Sequence, residues 1–187
     1  AHLEIAPFRK KYNNLIPSSP KKAAVLILLY PINTETHFVL IERPTYKGIH
    51  SGQISFPGGK KEKEDKNITQ TALREAWEET NINNEDVKII GELSKIFIPP
   101  SNYEVTPILA TSDKRPEFIP NRREVVAILE VKIKDLIKPE TIKKTKIQFD
   151  NGKTLNTPYF DLNSKTVWGA TAMILNELKY YLLDTEK

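Results

Sequence analysis

The stretch Arg74-Glu75-Ala76-Trp77-Glu78-Glu79, preceded by Phe56-Pro57-Gly58-Gly59, decides how the rest of this chain is interpreted. It falls within residues 68–80, which contain good helix formers, neither glycine nor proline, and apolar side chains at helical spacing. Asn67 is a predicted N-cap, and Asn81 stands where a left-handed residue often ends a helix. The pattern therefore predicts a helix that carries three carboxylates behind a glycine turn.

The three carboxylates of Glu75, Glu78 and Glu79 can converge on one side of this helix. At about 100° per residue, Glu75 and Glu79 lie about 40° apart, and Glu78 lies within about 100° of both. Like charges four residues apart repel, and a hard divalent cation such as Mg²⁺ or Mn²⁺ removes that cost. Arg74 stands one turn before Glu78 and could hold its carboxylate by an ion pair. We therefore predict Glu75, Glu78 and Glu79 as catalytic metal ligands, supported by Arg74. A solvated acidic helix face is the alternative for this motif taken alone.

Outside this helix, the alternation of apolar and polar residues predicts mostly strands. They are expected at residues 23–30, 37–42, 54–56, 87–93, 103–110 and 125–131. Asp150-Asn151-Gly152 predicts a hairpin turn. A second amphipathic helix is expected at residues 166–183, with a stripe formed by Val167, Ala170, Thr171, Ile174, Leu178 and Tyr181. Phe56 and Trp77 are predicted packing residues. Strands interleaved with two main helices predict an α/β fold, in which a mixed β-sheet lies between helices.

Size and composition predict one globular domain. With 187 residues, of which 39% are hydrophobic, the chain can bury a single core. Residues 1–21 are expected to form an N-terminal arm or short helix. The core is expected to begin at Ala23, and residues 22–185 are expected to form the single domain.

Charge and residue usage exclude several classes of protein. The chain has no cysteine, which excludes disulfides, thiolate metal sites and a cysteine nucleophile. The net charge of +4 is spread along the chain, so no nucleic-acid partner is predicted, although positive charge favours a small phosphorylated substrate by steering. No apolar run approaches the roughly 20 residues that span a bilayer, which predicts no membrane partner and a cytoplasmic location. A homodimer is left open, because Tyr180, Tyr181 and Leu182 could cover a partner subunit.

The glycine turn and the acidic helix together resemble the signature of the Nudix hydrolases. The residues that carry the resemblance are Gly59, Arg74, Glu75, Glu78, Glu79, Asn81 and Ile82. Two departures stand out. The segment between Gly59 and Arg74 is one residue longer than usual, which leaves the roles of the loop acids Glu62, Glu64 and Asp65 open. Asn81 replaces the usual glycine, a mild change because asparagine tolerates the left-handed conformation.

Two further stretches narrow the resemblance to one branch of that family. Leu40-Ile41-Glu42-Arg43 and the block from His50 to Gly59 resemble the additional signature of the coenzyme A pyrophosphatase branch, which also tolerates the longer loop. Trp168-Gly169-Ala170-Thr171-Ala172 resembles the last helix of that branch. The resemblance covers about residues 23–183, and it implies a Nudix-type α/β/α sandwich.

The upstream block also has a physical interpretation of its own, as a substrate-binding region. Arg43 could clamp a phosphate with two hydrogen bonds, and Gly58 and Gly59 allow backbone amides to approach anionic oxygens. His50 and Gln53 could hydrogen-bond the substrate or brace the loop. These five residues are therefore the predicted substrate contacts.

The resemblance implies metal-dependent hydrolysis of a diphosphate linkage, most specifically in coenzyme A or acyl-coenzyme A. The products would be adenosine 3′,5′-bisphosphate and phosphopantetheine or its acyl derivative. Glu78, Glu104 or Glu124 could take the proton of the attacking water, and the choice among them is left open. The alternatives are a Nudix hydrolase of ADP-ribose or of nucleoside di- and triphosphates, and a non-catalytic nucleotide sensor.

Overall fold

The structure is a computed structural model, and it describes residues 1–7, 19–45, 52–148, 152 and 154–185. Four helices and eleven strands lie within these ranges. Along the chain they are α1 (His2–Ile5), β1 (Lys21–Ile32), β2 (Glu35–Glu42), β3 (Ile54–Ser55), β4 (Gly58–Lys60), α2 (Ile68–Thr80), β5 (Lys88–Glu92), β6 (Ile96–Ile98), β7 (Tyr103–Thr111), β8 (Ala127–Lys132), α3 (Ile133–Ile137), β9 (Ile142–Gln148), β10 (Thr154–Leu162), β11 (Lys165–Val167) and α4 (Gly169–Thr185).

Strand β1 is the centre of a mixed sheet that has eight strands within the described residues. It pairs in parallel with β7 and antiparallel with β2 and β4. The main strand order is β3-β2-β1-β7-β5, while β6 extends the pairing of β7 and β8 extends that of β2. The predicted α/β fold with a mixed sheet is therefore confirmed, and the strand ends lie within two residues of the predicted ones.

The two faces of this sheet carry separate apolar clusters. In β1, Ala24, Leu26 and Leu28 belong to the cluster that includes α2. Ile27, between them, belongs to the cluster that includes α4. Successive side chains of a strand point to opposite faces, so one strand contributes to both clusters. The sheet therefore lies between α2 and α4, as predicted.

Strands β9, β10 and β11 form a second, three-stranded antiparallel sheet in the described part of the chain. The pairing of β9 with β10 confirms the predicted hairpin. Of its predicted turn, Asp150 and Asn151 lie outside the described residues. A separate sheet was not predicted, because strand periodicity does not show which strands pair.

The predicted start of the last helix was wrong. Thr166 and Val167 belong to β11, where they pair with Asp161 and Phe160, and α4 begins only at Gly169. The predicted stripe was also too long, because Tyr181 is exposed. Local periodicity favoured an earlier start, whereas pairing with a distant strand decided the conformation. Within the described ranges, no helix is long and apolar enough to cross a membrane.

The expectation that the core begins at Ala23 was also wrong. Ile5 and Ala6, in and directly after α1, are buried in the same cluster as α4. The Asn176 side chain donates to the carbonyl oxygen of Ala1 at 2.6 Å, and the hydroxyl of Tyr180 donates to the Glu4 carboxylate at 2.8 Å. The first residues therefore pack against α4 and contribute to the core.

Candidate active site

Helix α2 carries the predicted acidic residues, and it begins and ends where the sequence predicts. The side chain of Asn67 accepts a hydrogen bond from the backbone N–H of Gln70 at 2.8 Å, and Asn81 has a φ of 62°. Ala72 and Ala76 are fully buried in the apolar cluster shared with β1. Because alanine is small, the helix lies close to the sheet, and the acidic residues that follow reach strand β4.

Asp65 is a component of this site whose role the sequence left open. Both of its oxygens bind Arg74, with Nε 3.0 Å from Oδ1 and Nη2 3.0 Å from Oδ2. Its Oδ2 also accepts from the Thr71 hydroxyl and from the Glu62 backbone N–H, each at 2.9 Å. The hydrogen bonds from Arg74 hold the pKa of the buried Asp65 carboxyl well below its usual range. Asp65 therefore fixes both the loop before α2 and the orientation of Arg74.

Arg74 connects two of the predicted metal ligands. Its Nη1 lies 3.0 Å from Oε1 of Glu75 and 3.1 Å from Oε2 of Glu78. Its Nη2 also donates to the carbonyl oxygen of Lys60 at 3.0 Å. The hydrogen bonds to Asp65 raise the pKa of Arg74 above its usual value, so the guanidinium stays charged. The predicted ion pair between Arg74 and Glu78 is confirmed.

Glu79 is a nearly fully buried carboxylate with two defined partners. Its side chain is 1% exposed, Oε1 lies 2.9 Å from Nη2 of Arg43, and Oε2 accepts the backbone N–H of Gly58 at 2.8 Å. Burial raises the pKa of Glu79 to about 7, against the lowering effects of Arg43 and the Gly58 N–H. The predicted substrate contacts Arg43 and Gly58 are thus in contact with a predicted metal ligand.

Gly58 and Gly59 were predicted to form a turn, and this was wrong, because both lie in strand β4 and pair with β1, where they are closely packed. A Cβ at Gly59 would collide with the carboxylate of Glu75, and one at Gly58 would collide with the carbonyl oxygen of Ala24 in β1. Gly58 also has a φ of 154°, which favours glycine. Strand β4 therefore passes between β1 and α2 with room for no side chain at either glycine. Glu75, whose carboxylate lies against Gly59, is itself buried, and burial raises its pKa, although Arg74 opposes the rise.

The three carboxylates of α2 do not meet at one point in this structure. Across the residues described, no three acidic or histidine side chains are placed to hold a metal ion together. Arg74 bridges Glu75 and Glu78, while Arg43 holds Glu79. The donors nevertheless suit a hard divalent cation, because they are carboxylate oxygens and two of them are desolvated. A cation close to Glu75 and Glu79 would offset the cost of burying their charges.

The remaining predicted site residues are Gln53, His50 and the candidate bases. The Gln53 carbonyl oxygen accepts the backbone N–H of Arg43 at 3.1 Å, and His50 lies outside the described residues. Of the candidate bases, Glu104 pairs with Lys22. The negative charge of Glu124 raises the pKa of Glu75 and of Glu79 a little further, although burial is the main cause of both shifts. A role for Glu124 in the site stays a prediction.

The prediction that Trp77 is a packing residue was wrong, because 54% of its surface is exposed. Phe56, by contrast, is buried as predicted, and its ring lies 6.2 Å from that of Phe38. Trp77 lies on the side of α2 that faces away from Ala72 and Ala76. The large apolar side chain of Trp77 suggested burial, but no element within the described ranges covers this side of α2.

Comparison with known proteins places this chain in a family. The model of the NUDIX domain matches residues 20–154 of the chain. The chain belongs to the Nudix family. This Nudix chain is 31% identical to the uncharacterized Nudix hydrolase NudL of Pectobacterium atrosepticum, over 88% of this chain and 84% of that protein. It is also 31% identical to Nudix hydrolase 3 of Caenorhabditis elegans, over 89% of this chain and 76% of that protein.

Solved structures agree on the Nudix fold. The Nudix hydrolase RenU from M. smegmatis superposes with a TM-score of 0.63 at 16% identity, covering 88% of this chain and 87% of that one. Membership of the family implies hydrolysis of a diphosphate linkage in a small nucleotide-like substrate, assisted by a divalent metal ion. The resemblance that the acidic helix shows to the Nudix signature is therefore confirmed at the level of the family.

Proposed function

We propose that this Nudix chain hydrolyses the diphosphate of coenzyme A or of its thioesters, with residues 22–185 as the catalytic domain. Water would add to one phosphorus, and the bond from that phosphorus to the bridging oxygen would break. The products would be adenosine 3′,5′-bisphosphate and phosphopantetheine or its acyl derivative. The proposal concerns the substrate, since diphosphate hydrolysis itself follows from the family.

Its main support is that the three stretches that resemble the coenzyme A branch lie against one another. Ile41 pairs with Ser55, and the backbone N–H of Arg43 donates to Gln53, which joins the two upstream stretches. The hydroxyl of Thr171, in the third stretch, donates to the carbonyl oxygen of Ile54 at 3.1 Å across 117 positions of sequence. The described residues of the three stretches therefore lie in one region of the fold, which supports treating them as parts of one site.

The site also suits the chemistry of a diphosphate. Glu75, Glu78 and Glu79 would hold Mg²⁺ or Mn²⁺, whose charge, when bound, offsets the negative charge that develops on the phosphate oxygens. Arg74 orients Glu75 and Glu78 through contacts of 3.0 and 3.1 Å, and Asp65 holds Arg74 in turn. These contacts restrict the orientations that Glu75 and Glu78 can take before a cation binds.

Proton transfer from the attacking water needs a carboxylate near the diphosphate. Glu78 has an exposed side chain, with 44% of its surface accessible, and it is held at one oxygen by Arg74. Glu124 lies in the turn before β8, where its backbone N–H donates to the carbonyl oxygen of Asn121. Either could accept the proton, whereas Glu104 pairs with Lys22 and is the weakest of the three candidates.

A substrate panel tests the proposal. The purified chain would be incubated with coenzyme A, acetyl-coenzyme A, oxidised coenzyme A, ADP-ribose and deoxynucleoside triphosphates, with Mg²⁺ or Mn²⁺, and the products would be identified by mass. We expect the highest kcat/KM for a coenzyme A compound, with release of adenosine 3′,5′-bisphosphate. The Glu78→Gln/Glu79→Gln double variant serves as the control for contaminating hydrolases.

Two results would contradict the proposal. Faster hydrolysis of ADP-ribose or of a deoxynucleoside triphosphate would keep the Nudix reaction and change its substrate. Tight binding of these compounds without metal-dependent turnover of any of them would instead indicate a nucleotide sensor.

A further inference from the structure

Arg43 is held in place by the protein on two of the three nitrogens of its guanidinium. Its Nε donates to the Ser55 hydroxyl at 3.2 Å, and its Nη2 donates to the carbonyl oxygen of Gly58 at 2.8 Å. The same Nη2 lies 2.9 Å from Oε1 of Glu79. These contacts occupy the edge of the guanidinium that Nε and Nη2 form.

Glu79 depends on Arg43 electrostatically. Its carboxylate is almost fully buried, and an unpaired buried carboxylate is strongly unfavourable. The charges of Glu75 and Glu124 also act on it, and both are negative. Among the described residues, Arg43 is the cation paired with Glu79.

The contacts on Glu79 leave room for a further ligand. Oε2 accepts one hydrogen bond, from the Gly58 N–H, and Oε1 forms an ion pair with Arg43. A carboxylate oxygen has two lone pairs, so each oxygen keeps one for a cation. The two contacts fix the plane of the carboxylate without blocking it.

We infer that Arg43 is a positioning residue for Glu79, which it orients and whose charge it offsets through the edge of its guanidinium that Nε and Nη2 form. The bidentate phosphate clamp that the sequence suggested would require Arg43 to release Glu79. The inference rests on the proposed function in one respect, namely that Glu79 takes part in metal binding.

A double-mutant cycle tests the pair without any substrate. Arg43→Gln, Glu79→Gln and the double variant would be unfolded by heat in the absence of metal, and their affinity for Mn²⁺ would be measured by the EPR signal of the free ion. Ser55→Ala is the matched control, because it removes one hydrogen bond of the same guanidinium and leaves the contact with Glu79. Arg43→Lys keeps the positive charge but loses the planar guanidinium, which can donate from more than one nitrogen.

We expect Arg43→Gln to lower the unfolding midpoint by about 10 °C, since it leaves a buried charge unpaired, and to weaken Mn²⁺ binding at least about tenfold. The double variant should unfold close to the midpoint of Glu79→Gln alone. Arg43→Lys should recover part of the affinity for Mn²⁺, and Ser55→Ala should stay near the parent chain in both measurements. In turnover assays, kcat should fall more than KM rises.

Additive effects of the two substitutions on the midpoint would overturn the inference. So would an Arg43→Gln variant with normal stability and Mn²⁺ affinity but a raised KM, which is the result expected of a simple phosphate contact. If Arg43→Gln does not fold, recovery of folding in the double variant supports the pairing, and continued failure to fold overturns it. Loss of the proposed function would appear separately, as absence of coenzyme A hydrolysis by the parent chain.

Discussion

The helices α2 and α4 lie on opposite faces of one sheet, and they use their buried surfaces differently. Helix α4 buries large apolar side chains such as Met173, Leu175 and Leu178. Helix α2 buries small alanines and, beside them, the carboxylates of Glu75 and Glu79. Buried ion pairs contribute little net stability, whereas buried apolar surface contributes about 25 cal/mol per Å². We therefore expect stability to depend mainly on the α4 face and activity mainly on the α2 face.

The largest effect should follow from removing the charges of α2. We expect Glu78→Gln and Glu79→Gln each to lower kcat about 10³-fold, equivalent to about 4 kcal/mol in the activation barrier, because metal-dependent stabilisation of charge is lost. The unfolding midpoint should change by only a few degrees, since glutamine keeps the volume and one acceptor. Steady-state kinetics and thermal unfolding measure the two quantities.

Trp77→Ala is the matched control on the same helix. Its side chain is exposed on the far face of α2, so neither kcat nor stability should change appreciably. Near-normal turnover by both glutamine variants would refute the assignment of the acidic helix as the catalytic element.

The opposite result is expected on the α4 face. Leu178→Ala removes a fully buried side chain and should lower the free energy of unfolding by about 3 to 5 kcal/mol. The kcat per folded molecule should stay within about twofold of the parent value, because Leu178 belongs to the cluster on the other side of the sheet. Urea unfolding, with active-site concentration determined separately, checks both. A large fall in kcat at unchanged stability would show that the two faces are not separable.

The buried charge of α2 should also make stability depend on pH. The pKa of Glu79 is about 7 in the folded chain, whereas the ordinary value, expected in the unfolded chain, is 4.5. Between pH 4.5 and 7 the folded state therefore keeps a proton on Glu79 that the unfolded state releases. Stability of the metal-free chain should therefore fall as pH rises from about 4.5 to 7, by about 2 to 3 kcal/mol. The raised pKa of Glu75 acts in the same direction.

Urea unfolding in EDTA at a series of pH values measures this slope, and the difference between the parent chain and Glu79→Gln isolates the contribution of Glu79. Added Mn²⁺ should reduce the slope, because a bound cation favours the ionised form. An identical slope in both proteins would mean that Glu79 does not titrate in this range.

A smaller effect is expected for the loop that supports α2. In Asp65→Asn, an amide N–H₂ group would replace one of the two oxygens that bind Arg74. The N–H groups of the asparagine would then face N–H groups of the guanidinium, and one hydrogen bond would be lost. We expect activity to fall about 30-fold and the free energy of unfolding to fall by about 2 kcal/mol. Glu64→Gln, at the exposed neighbouring acid, is the control and should alter neither quantity. Equal effects of the two variants would show that Asp65 has no role in the site beyond that of a neighbouring surface acid.

The contrast between the helices also shows how far sequence could predict the structure. The ends of α2 were predicted correctly because Asn67 and Asn81 act on the backbone beside them. The start of α4 was not, because Val167 pairs with Phe160 in another strand. Similarly, nothing local distinguishes Asp65 from the other acids of its loop, and only the folded loop brings it to Arg74.

The sequence by itself determined the acidic helix, the mixed α/β fold and the family, since these depend on residue types and their spacing along the chain. Tertiary structure alone decided that Gly58 and Gly59 form a strand and not the predicted turn. It also decided the partners: Asp65 for Arg74, Arg43 for Glu79, and a carboxylate of α2 against each glycine of β4. The physical reason is that the energy of a buried charge depends on which groups surround it, and those groups come from segments far apart in the chain.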